Sequence, residues 1–200
     1  MHDRYVERGY CDPAPDGRRT SFHHALDTTR VFVARDAGQV VGTLTLIPDA
    51  RCAPPMAEIY REELSGLGTA RGRLAEVSGL AVAAGLGRRG MEVLLSLVRR
   101  VVAYATRVAA LDALCIAVHP RHAAFYARLG FRRIGEAKAY RTVNDAPAVA
   151  LALDLRGASH AVAEFLANDS GRLHLRGTGS RSSRGTRAER RTAPVAHAAV

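Results

Sequence analysis

The segment from Cys115 to Phe131 constrains the fold of this chain more than any other segment. It opens with an apolar run that is typical of a buried strand, and Pro120 ends that run. Residues 123–129 then have a helical pattern, and Leu-Gly-Phe turns the chain back. A strand followed by a short helix and a chain reversal predicts an α/β fold. The same order places the phenol of Tyr126 just beyond a strand end.

The remaining periodicities predict a sheet of mixed strand direction. Two runs rich in β-branched residues, 31–35 and 40–47, flank Asp-Ala-Gly-Gln and predict an antiparallel hairpin. A short helix is expected over 58–67 and a strand over 74–82. Apolar residues at helical spacing predict a long helix over 91–109. The other predicted strands lie at 112–118, 131–134, 140–143 and 148–155.

Composition limits the class of protein. Two hundred residues, 48% of them apolar, suffice for one domain with a sizeable core. No run approaches the roughly eighteen apolar residues of a membrane span, and the N-terminus lacks the layout of a secretory signal, so a cytoplasmic protein is expected. The three cysteines, Cys11, Cys52 and Cys115, are too scattered for a disulfide framework or a close-spaced metal pair.

Half of the net charge of +10 lies in the last 25 residues, where six arginines accompany one acid. Residues 176–200 are also rich in Gly, Ser and Thr, which predicts a disordered tail, and residues 157–175 are expected to form a terminal helix or extension. The arginines suit contact with an anionic surface. Because Lys138 is the only lysine, however, the charge also fits a compositional bias, and nucleic acid is not favoured as a partner.

Gly85 to Gly90 spell G-x-G-x-x-G between a predicted strand and the long helix, the pattern of a dinucleotide-binding turn. That turn also needs an acidic residue at the end of the next strand, whereas Asp112 stands at its start. A second interpretation is an anion site in which the helix N-terminus, Arg88 and Arg89 attract a phosphate. A third is a plain connector with solvated arginines. The dinucleotide interpretation fits least well.

A carboxylate interrupts the strand predicted over 74–82. Alternation with a period of two places Leu74, Glu76, Ser78, Leu80 and Val82 on one face. Burying a carboxylate is costly, and desolvation raises its pKa and makes it a better proton acceptor. Glu76 is therefore a candidate general base. The alternatives are a solvent-exposed face or an ion pair with an arginine.

His119 and His122 are three residues apart, which suggests a metal site. No further ligands have a suitable spacing, so no metal is predicted. Ser78 lacks the elbow motif of a hydrolase nucleophile. We expect Ser78 and His119 to position the substrate instead.

The ending Phe-Tyr-x-x-Leu-Gly-Phe, at residues 125–131, resembles the second half of the GNAT fold of N-acyltransferases. The resemblance implies a mixed, mostly antiparallel central sheet flanked by helices. It also implies that the turn before the long helix binds the phosphate end of coenzyme A or of an acyl-carrier pantetheine arm. The residues concerned would be Gly87, Arg88, Arg89 and Gly90. The usual Gln/Arg-x-x-Gly-x-Gly/Ala form is not reproduced, which argues against ordinary use of acetyl-CoA.

Residues 5–10, 74–82 and 118–126 resemble, in order, the FeeM-type long-chain N-acyl amino acid synthases, relatives of the acyl-homoserine-lactone synthases. Such proteins move a fatty acyl group from an acyl carrier protein to an amino acid amine. The resemblance implies that residues 1–156 form one acyltransferase domain. It implies an acyl carrier protein and an amino acid as partners, with phosphopantetheine or acyl-CoA as co-substrate and no permanently bound cofactor.

The same resemblance implies roles for particular residues. Glu76 matches the glutamate on the amine-activating side, and Tyr126 matches the tyrosine that protonates the departing thiolate. Backbone groups of Leu80, Ala81 and Val82 would hold the pantetheine arm. The chain starts at what matches the middle of the family's first helix, so either a truncated N-terminus or an incomplete substrate pocket is expected.

Our main hypothesis is direct transfer, in which Glu76 deprotonates an amine that attacks a thioester, with Tyr126 as the acid. An acetyl-CoA-dependent N-acetyltransferase is the first alternative. The second is a non-catalytic GNAT-fold protein that binds an acyl carrier or nucleic acid, motivated by the starting point and the basic tail.

Overall fold

The computed structural model describes residues 1–156, and within them seven strands form one sheet. The strands are β1 (Arg30–Asp36), β2 (Gln39–Pro48), β3 (Leu74–Val82), β4 (Ala113–Val118), β5 (Arg132–Arg133), β6 (Lys138–Tyr140) and β7 (Ala146–Asp154). The α-helices are α1 (His2–Glu7), α2 (Ala57–Ser65), α3 (Arg88–Arg107) and α4 (Ala123–Arg128). Short 3-10 turns occur at Phe22–Ala25, Pro120–His122 and Arg141–Val143. The extension expected at 157–175 and the tail expected at 176–200 lie outside the described residues.

The sheet order is β1-β2-β3-β4-β7-β5, and β6 also pairs with β7. Only the contact between β3 and β4 is parallel within this sheet, because α3 crosses over between these two strands. The prediction of a mixed, mostly antiparallel sheet flanked by helices is therefore confirmed.

Most predicted elements are present with small shifts at their ends. The β1–β2 hairpin is confirmed, and β3 has the predicted bounds. α3 begins at Arg88, earlier than predicted, because Gly87 serves as its N-cap. The strands after α4 differ more from the prediction. Residues 141–143, predicted as part of a strand, form a 3-10 turn after β6. Asn144 and Asp145 take the left-handed backbone conformation and complete the turn by themselves, so β7 starts at Ala146.

The parallel pair β3–β4 separates after a short paired stretch. Leu74 to Glu76 pair with Ala113 to Cys115, and the second halves of the two strands are not paired with each other. A gap therefore opens between the C-terminal halves of β3 and β4. The backbone groups along its edges have no strand partner across it.

A β-bulge at Gly79 accompanies this separation. Thr43 pairs with Ala81 but Thr45 pairs with Ser78, so β3 carries one extra residue against β2. Gly79 supplies the left-handed conformation, with φ of 61°. A Cβ atom at this position would lie 3.1 Å from Met1 Sδ and 3.2 Å from Thr45 Oγ1. Glycine is therefore required both by conformation and by space.

The bulge reverses the side-chain alternation of β3. Leu80 and Val82 belong to the cluster that packs against α3, whereas Leu74 packs with the α2-side cluster. The prediction that Leu80 and Val82 share a face with Leu74, Glu76 and Ser78 is therefore wrong. The extra residue moves every side chain beyond Gly79 to the opposite face.

Each face of the sheet carries its own core. The α3 face is filled by the apolar stripe of that helix, as its predicted periodicity requires. On the other face, Tyr60 of α2 is fully buried and its hydroxyl donates to the Ala148 carbonyl at 2.6 Å. This bond satisfies a phenol that would otherwise be costly to bury, and it joins α2 to β7.

Candidate active site

A cavity of about 590 Å³ lies on the α2 side of the sheet, at the ends of β3 and β4. Its volume is in the range of small-molecule sites. The walls come from β3, the end of β4, the segment before α2, and the loop between α1 and β1. The lining residues used below are Tyr5, Tyr10, Arg19, Glu76, Ser78 and His119.

Glu76 forms the buried acidic wall of this cavity and is only 2% exposed. Its Oε2 accepts a hydrogen bond from the backbone N–H of Met56 at 2.7 Å. Burial raises the pKa of Glu76 to about 7, although the Met56 N–H, the charge of Arg19 and the hydroxyl of Ser78 act to lower it. A carboxylate with this pKa exchanges protons readily near neutral pH, as a general base must.

Local structure explains the position of this carboxylate. Pro54 and Pro55 end the preceding segment, and Met56 caps the N-terminus of α2. Helix N-termini have backbone N–H groups without intrahelical acceptors. Glu76 supplies the acceptor from the neighbouring strand. The carboxylate is thereby fixed between β3 and α2.

The two predicted positioning residues lie in the same cavity as Glu76. Ser78 is half-buried on β3, and its hydroxyl acts to lower the pKa of Glu76. His119 follows β4, and its Nδ1 accepts from the backbone N–H of Arg121 at 3.2 Å. Burial and the charge of Arg121 lower the pKa of His119. At neutral pH His119 is thus a neutral hydrogen-bonding group.

Tyr126 lies in α4 and does not line the cavity. It is 6% exposed and packs in the α3-side cluster, with ring contacts to Phe125 and Phe131. Burial, and secondarily Tyr5, raise the pKa of Tyr126, so the phenol stays protonated at neutral pH. Tyr5 lines the cavity and also interacts electrostatically with Glu76. The structure thus does not bring the two predicted catalytic residues into one cavity.

The predicted donor-binding residues of β3 lie along the gap. Leu80, Ala81 and Val82 are all buried. One edge of this segment pairs with β2, through Ala81 to Thr43 for example, and the other edge faces the unpaired half of β4. Within residues 1–156, no strand pairs with that edge of residues 80–82.

The predicted anion-binding turn lies at the N-terminus of α3. Gly87 is the N-cap with φ of 51°, and Arg88 is exposed in the first turn. Arg89 pairs with Asp36, with its Nη2 2.7 Å from Asp36 Oδ2. Gly90 is buried, and a Cβ atom added to it would lie 3.7 Å from Cγ1 of Val82. Arg88 is therefore the better placed of the two arginines for a phosphate.

Sequence reasoning missed Arg19. Its Cζ lies 4.7 Å from the centroid of the Tyr5 ring, and its Nη2 donates to the Thr142 carbonyl at 2.9 Å. Arg19 belongs to a polar segment without periodicity, so no pattern distinguishes it from other arginines. Only the fold brings it beside Glu76.

Within residues 1–156 no group of three or more His, Cys, Asp or Glu side chains is arranged to hold a metal ion. The rings of His119 and His122 are 6.3 Å apart between centroids. In the same part of the chain no helix is long and apolar enough to cross a membrane.

Comparisons with known proteins identify the family of this chain. The family model of the N-acyl amino acid synthase FeeM matches residues 1–154. The structure of FeeM, an N-acyl amino acid synthase from uncultured soil microbes, is 31% identical, with a TM-score of 0.63 over 82% of this chain and 88% of that one. No curated protein matches the chain.

Acyl-homoserine lactone synthases share the fold at lower identity. The CoA-dependent synthase BjaI is 20% identical, with a TM-score of 0.62 over 83% of this chain and 74% of that one. The synthase LasI is 20% identical, with a TM-score of 0.60 over 78% and 81%. The family model and the FeeM structure carry the assignment: this chain belongs to the FeeM family of N-acyl amino acid synthases and is an acyltransferase.

Proposed function

We propose that this acyltransferase moves a long-chain fatty acyl group from a carrier-protein thioester to the amine of an amino acid. The observation that carries the proposal is the buried Glu76 carboxylate, with its pKa raised to about 7, in the wall of a cavity beside the β3–β4 gap. Family membership supports acyl transfer as the reaction class. We expect the reaction in the cytoplasm.

The reaction begins with proton transfer from the acceptor. An amino acid enters mainly as its ammonium form, and Glu76 takes one proton to give the neutral amine. The amine nitrogen then attacks the thioester carbonyl, which forms the C–N bond of a tetrahedral adduct. Glu76 afterwards releases its proton to solvent. A carboxylate with an unperturbed pKa would be a weaker base for this step.

Collapse of the adduct breaks the C–S bond. Tyr126 donates its proton to the departing sulfur, and the remaining N–H⁺ proton of the adduct restores the phenol. The products are an N-acyl amino acid and a free carrier thiol. The protonated state of Tyr126 at neutral pH supports this role, because burial raises the pKa of the phenol.

The unpaired edge of β3 supports a pantetheine arm as the donor group. Amides of such an arm are able to bond the free main-chain groups near Leu80, Ala81 and Val82, and Arg88 at the N-terminus of α3 is available to a phosphate. Both a carrier protein and coenzyme A contain this arm. BjaI is described as CoA-dependent, so acyl-CoA is the donor to compare directly.

The test measures the activity of the full chain with every combination of acyl donor and amine acceptor. Purified protein is incubated with a long-chain acyl carrier protein, the matching acyl-CoA or acetyl-CoA, and with each standard amino acid in turn. Mass spectrometry identifies the products. We expect a long-chain N-acyl amino acid, formed faster from the carrier protein. Products from acetyl-CoA alone, or no N-acyl product with any pair, would overturn the proposal.

A further inference from the structure

The cavity contains a cation as well as its buried carboxylate. Arg19 lines the same cavity as Glu76, and its positive charge is close enough to lower the pKa of Glu76 against the larger effect of burial. Arg19 is half-buried. A ligand in this cavity therefore meets both an acidic group and a guanidinium.

The Arg19 guanidinium is held in place without being neutralised. It lies over the Tyr5 ring at 4.7 Å, and one N–H is used by the Thr142 carbonyl. Among the described residues it forms no ion pair with a carboxylate. A guanidinium has five N–H donors, so a pair remains available for a planar anion.

The other arginine of the cavity wall is less suited to this role. Arg61 lies on α2, lines the cavity and is exposed to solvent. Exposed cations are screened and hydrated, whereas a half-buried one interacts more strongly with a ligand. Arg19 is the one held against an aromatic ring and a backbone carbonyl.

We propose that Arg19 binds the carboxylate of the acceptor, so that the enzyme selects amines that carry a neighbouring carboxylate. The inference rests on the proposed function and deepens it, because it names the group that separates an amino acid from a simple amine. Glu76 takes the proton of the ammonium, and Arg19 receives the carboxylate in a two-point contact. The zwitterion and the pair Glu76–Arg19 are then complementary in charge, which offsets the cost of desolvating each.

The test compares an accepted amino acid with its decarboxylated amine. Kinetic constants are measured for wild type, Arg19→Gln, Arg19→Lys and the control Arg18→Gln, which removes the same charge from an exposed neighbour that does not line the cavity. We expect Arg19→Gln to raise KM for the amino acid by about 10- to 100-fold, the effect of losing hydrogen bonds to a charged group. KM for the decarboxylated amine and kcat should change little, and Arg19→Lys should recover part of the loss.

Several outcomes would overturn the inference. One is an equal kcat/KM of wild type for both acceptors. Another is an equal loss of activity on both acceptors in Arg19→Gln, as a purely structural role requires. A changed KM for the acyl donor alone would assign Arg19 to the donor instead. A KM change in Arg61→Gln without one in Arg19→Gln would assign the carboxylate contact to Arg61.

Failure of the proposed function is distinguished by direct binding. If wild type forms no product, calorimetric titration of the protein with each free amino acid still tests the contact without an acyl donor. Binding to wild type that is lost in Arg19→Gln and kept in Arg18→Gln would support it. Equal binding to wild type and Arg19→Gln, or no binding to either, would refute it.

Discussion

The Glu76 carboxylate and the backbone N–H of Met56 form a buried hydrogen bond of 2.7 Å that joins β3 to the start of α2. The proposed base therefore also satisfies a helix terminus. This anchor limits the rotation of the carboxylate and keeps it in the cavity wall. It also makes Glu76→Gln the informative substitution, because an amide oxygen can still accept from Met56, whereas alanine would leave that N–H unsatisfied.

Glu76→Gln should reduce kcat/KM by about 10²- to 10⁴-fold, the usual contribution of a general base. Wild-type activity should also fall as the pH drops below about 7, where Glu76 becomes protonated. The measurement is the pH profile of kcat/KM for both proteins. An unchanged rate in the variant, with the same acid limb, would exclude Glu76 as the base.

Glu76 should also make stability depend on pH. Its pKa rises from 4.5 in the unfolded chain to about 7 in the folded one, so the folded state binds more protons between these values. The free energy of unfolding therefore decreases as the pH rises through this window, by on the order of 3 kcal/mol. Urea unfolding near pH 5 and near pH 8 should show this decrease in wild type and a smaller one in Glu76→Gln. Equal decreases would contradict the prediction.

Tyr126→Phe should reduce kcat by about 100-fold without reducing stability. The hydroxyl has no hydrogen-bond partner among residues 1–156, so the folded state loses only the proton donor. Turnover is measured together with the thermal midpoint. Phe125→Leu serves as a packing control, since Phe125 contacts the same ring. Full activity in Tyr126→Phe would show that another group protonates the thiolate.

Gly79→Ala should destabilise the fold by more than the cost of its backbone conformation. Gly68 has nearly the same φ, 62°, but open space where a Cβ would stand, so Gly68→Ala measures the conformational cost alone, about 1 kcal/mol. Gly79→Ala adds crowding against Met1 and Thr45, worth roughly a further 1 kcal/mol. Denaturant unfolding of both variants gives the difference. Identical losses would show that crowding at the bulge is unimportant.

Arg88→Gln should raise KM for the acyl donor several-fold, and the effect should shrink at high salt. Asp36→Asn should act in the opposite direction, because it releases Arg89 from its ion pair. Exposed ion pairs are weak, so this gain should stay below about five-fold. Steady-state kinetics with the donor varied at two salt concentrations tests both. Equal donor KM values in wild type, Arg88→Gln and Asp36→Asn would show that the turn before α3 does not bind the donor.

Much of the fold follows from local patterns in the sequence. The β1–β2 hairpin, β3 and α3 each have a strong periodicity and clear end signals. The alternation also places Glu76 on one face of β3 with Ser78, but it leaves a buried and an exposed face open, and the fold decides for burial. The family resemblance is confirmed as well, since the matched segments are spread over the whole domain.

Features that depend on strand register or on tertiary contacts could not be predicted from the sequence. Leu80-Ala81-Val82 continues the apolar pattern of the strand. These three residues therefore do not reveal that the side chains change face after Gly79. Arg19 comes to the cavity through a long irregular segment, whose path depends on tertiary contacts such as the one to Thr142. Tyr126 was placed correctly in a helix after β4, but its distance from the cavity depends on how β3 and β4 diverge.

The bulge divides β3 into two stretches with different tasks. Before Gly79, Glu76 and Ser78 contribute side chains to the cavity, whereas after it Leu80 and Val82 contribute side chains to the α3 core and the main chain lies along the gap. Substitutions at Glu76 or Ser78 should therefore alter turnover, and substitutions at Leu80 or Val82 should alter folding. Substitutions in the first half of β3 can thus change the preference for donor or acceptor, while the second half maintains the packing of the sheet against α3.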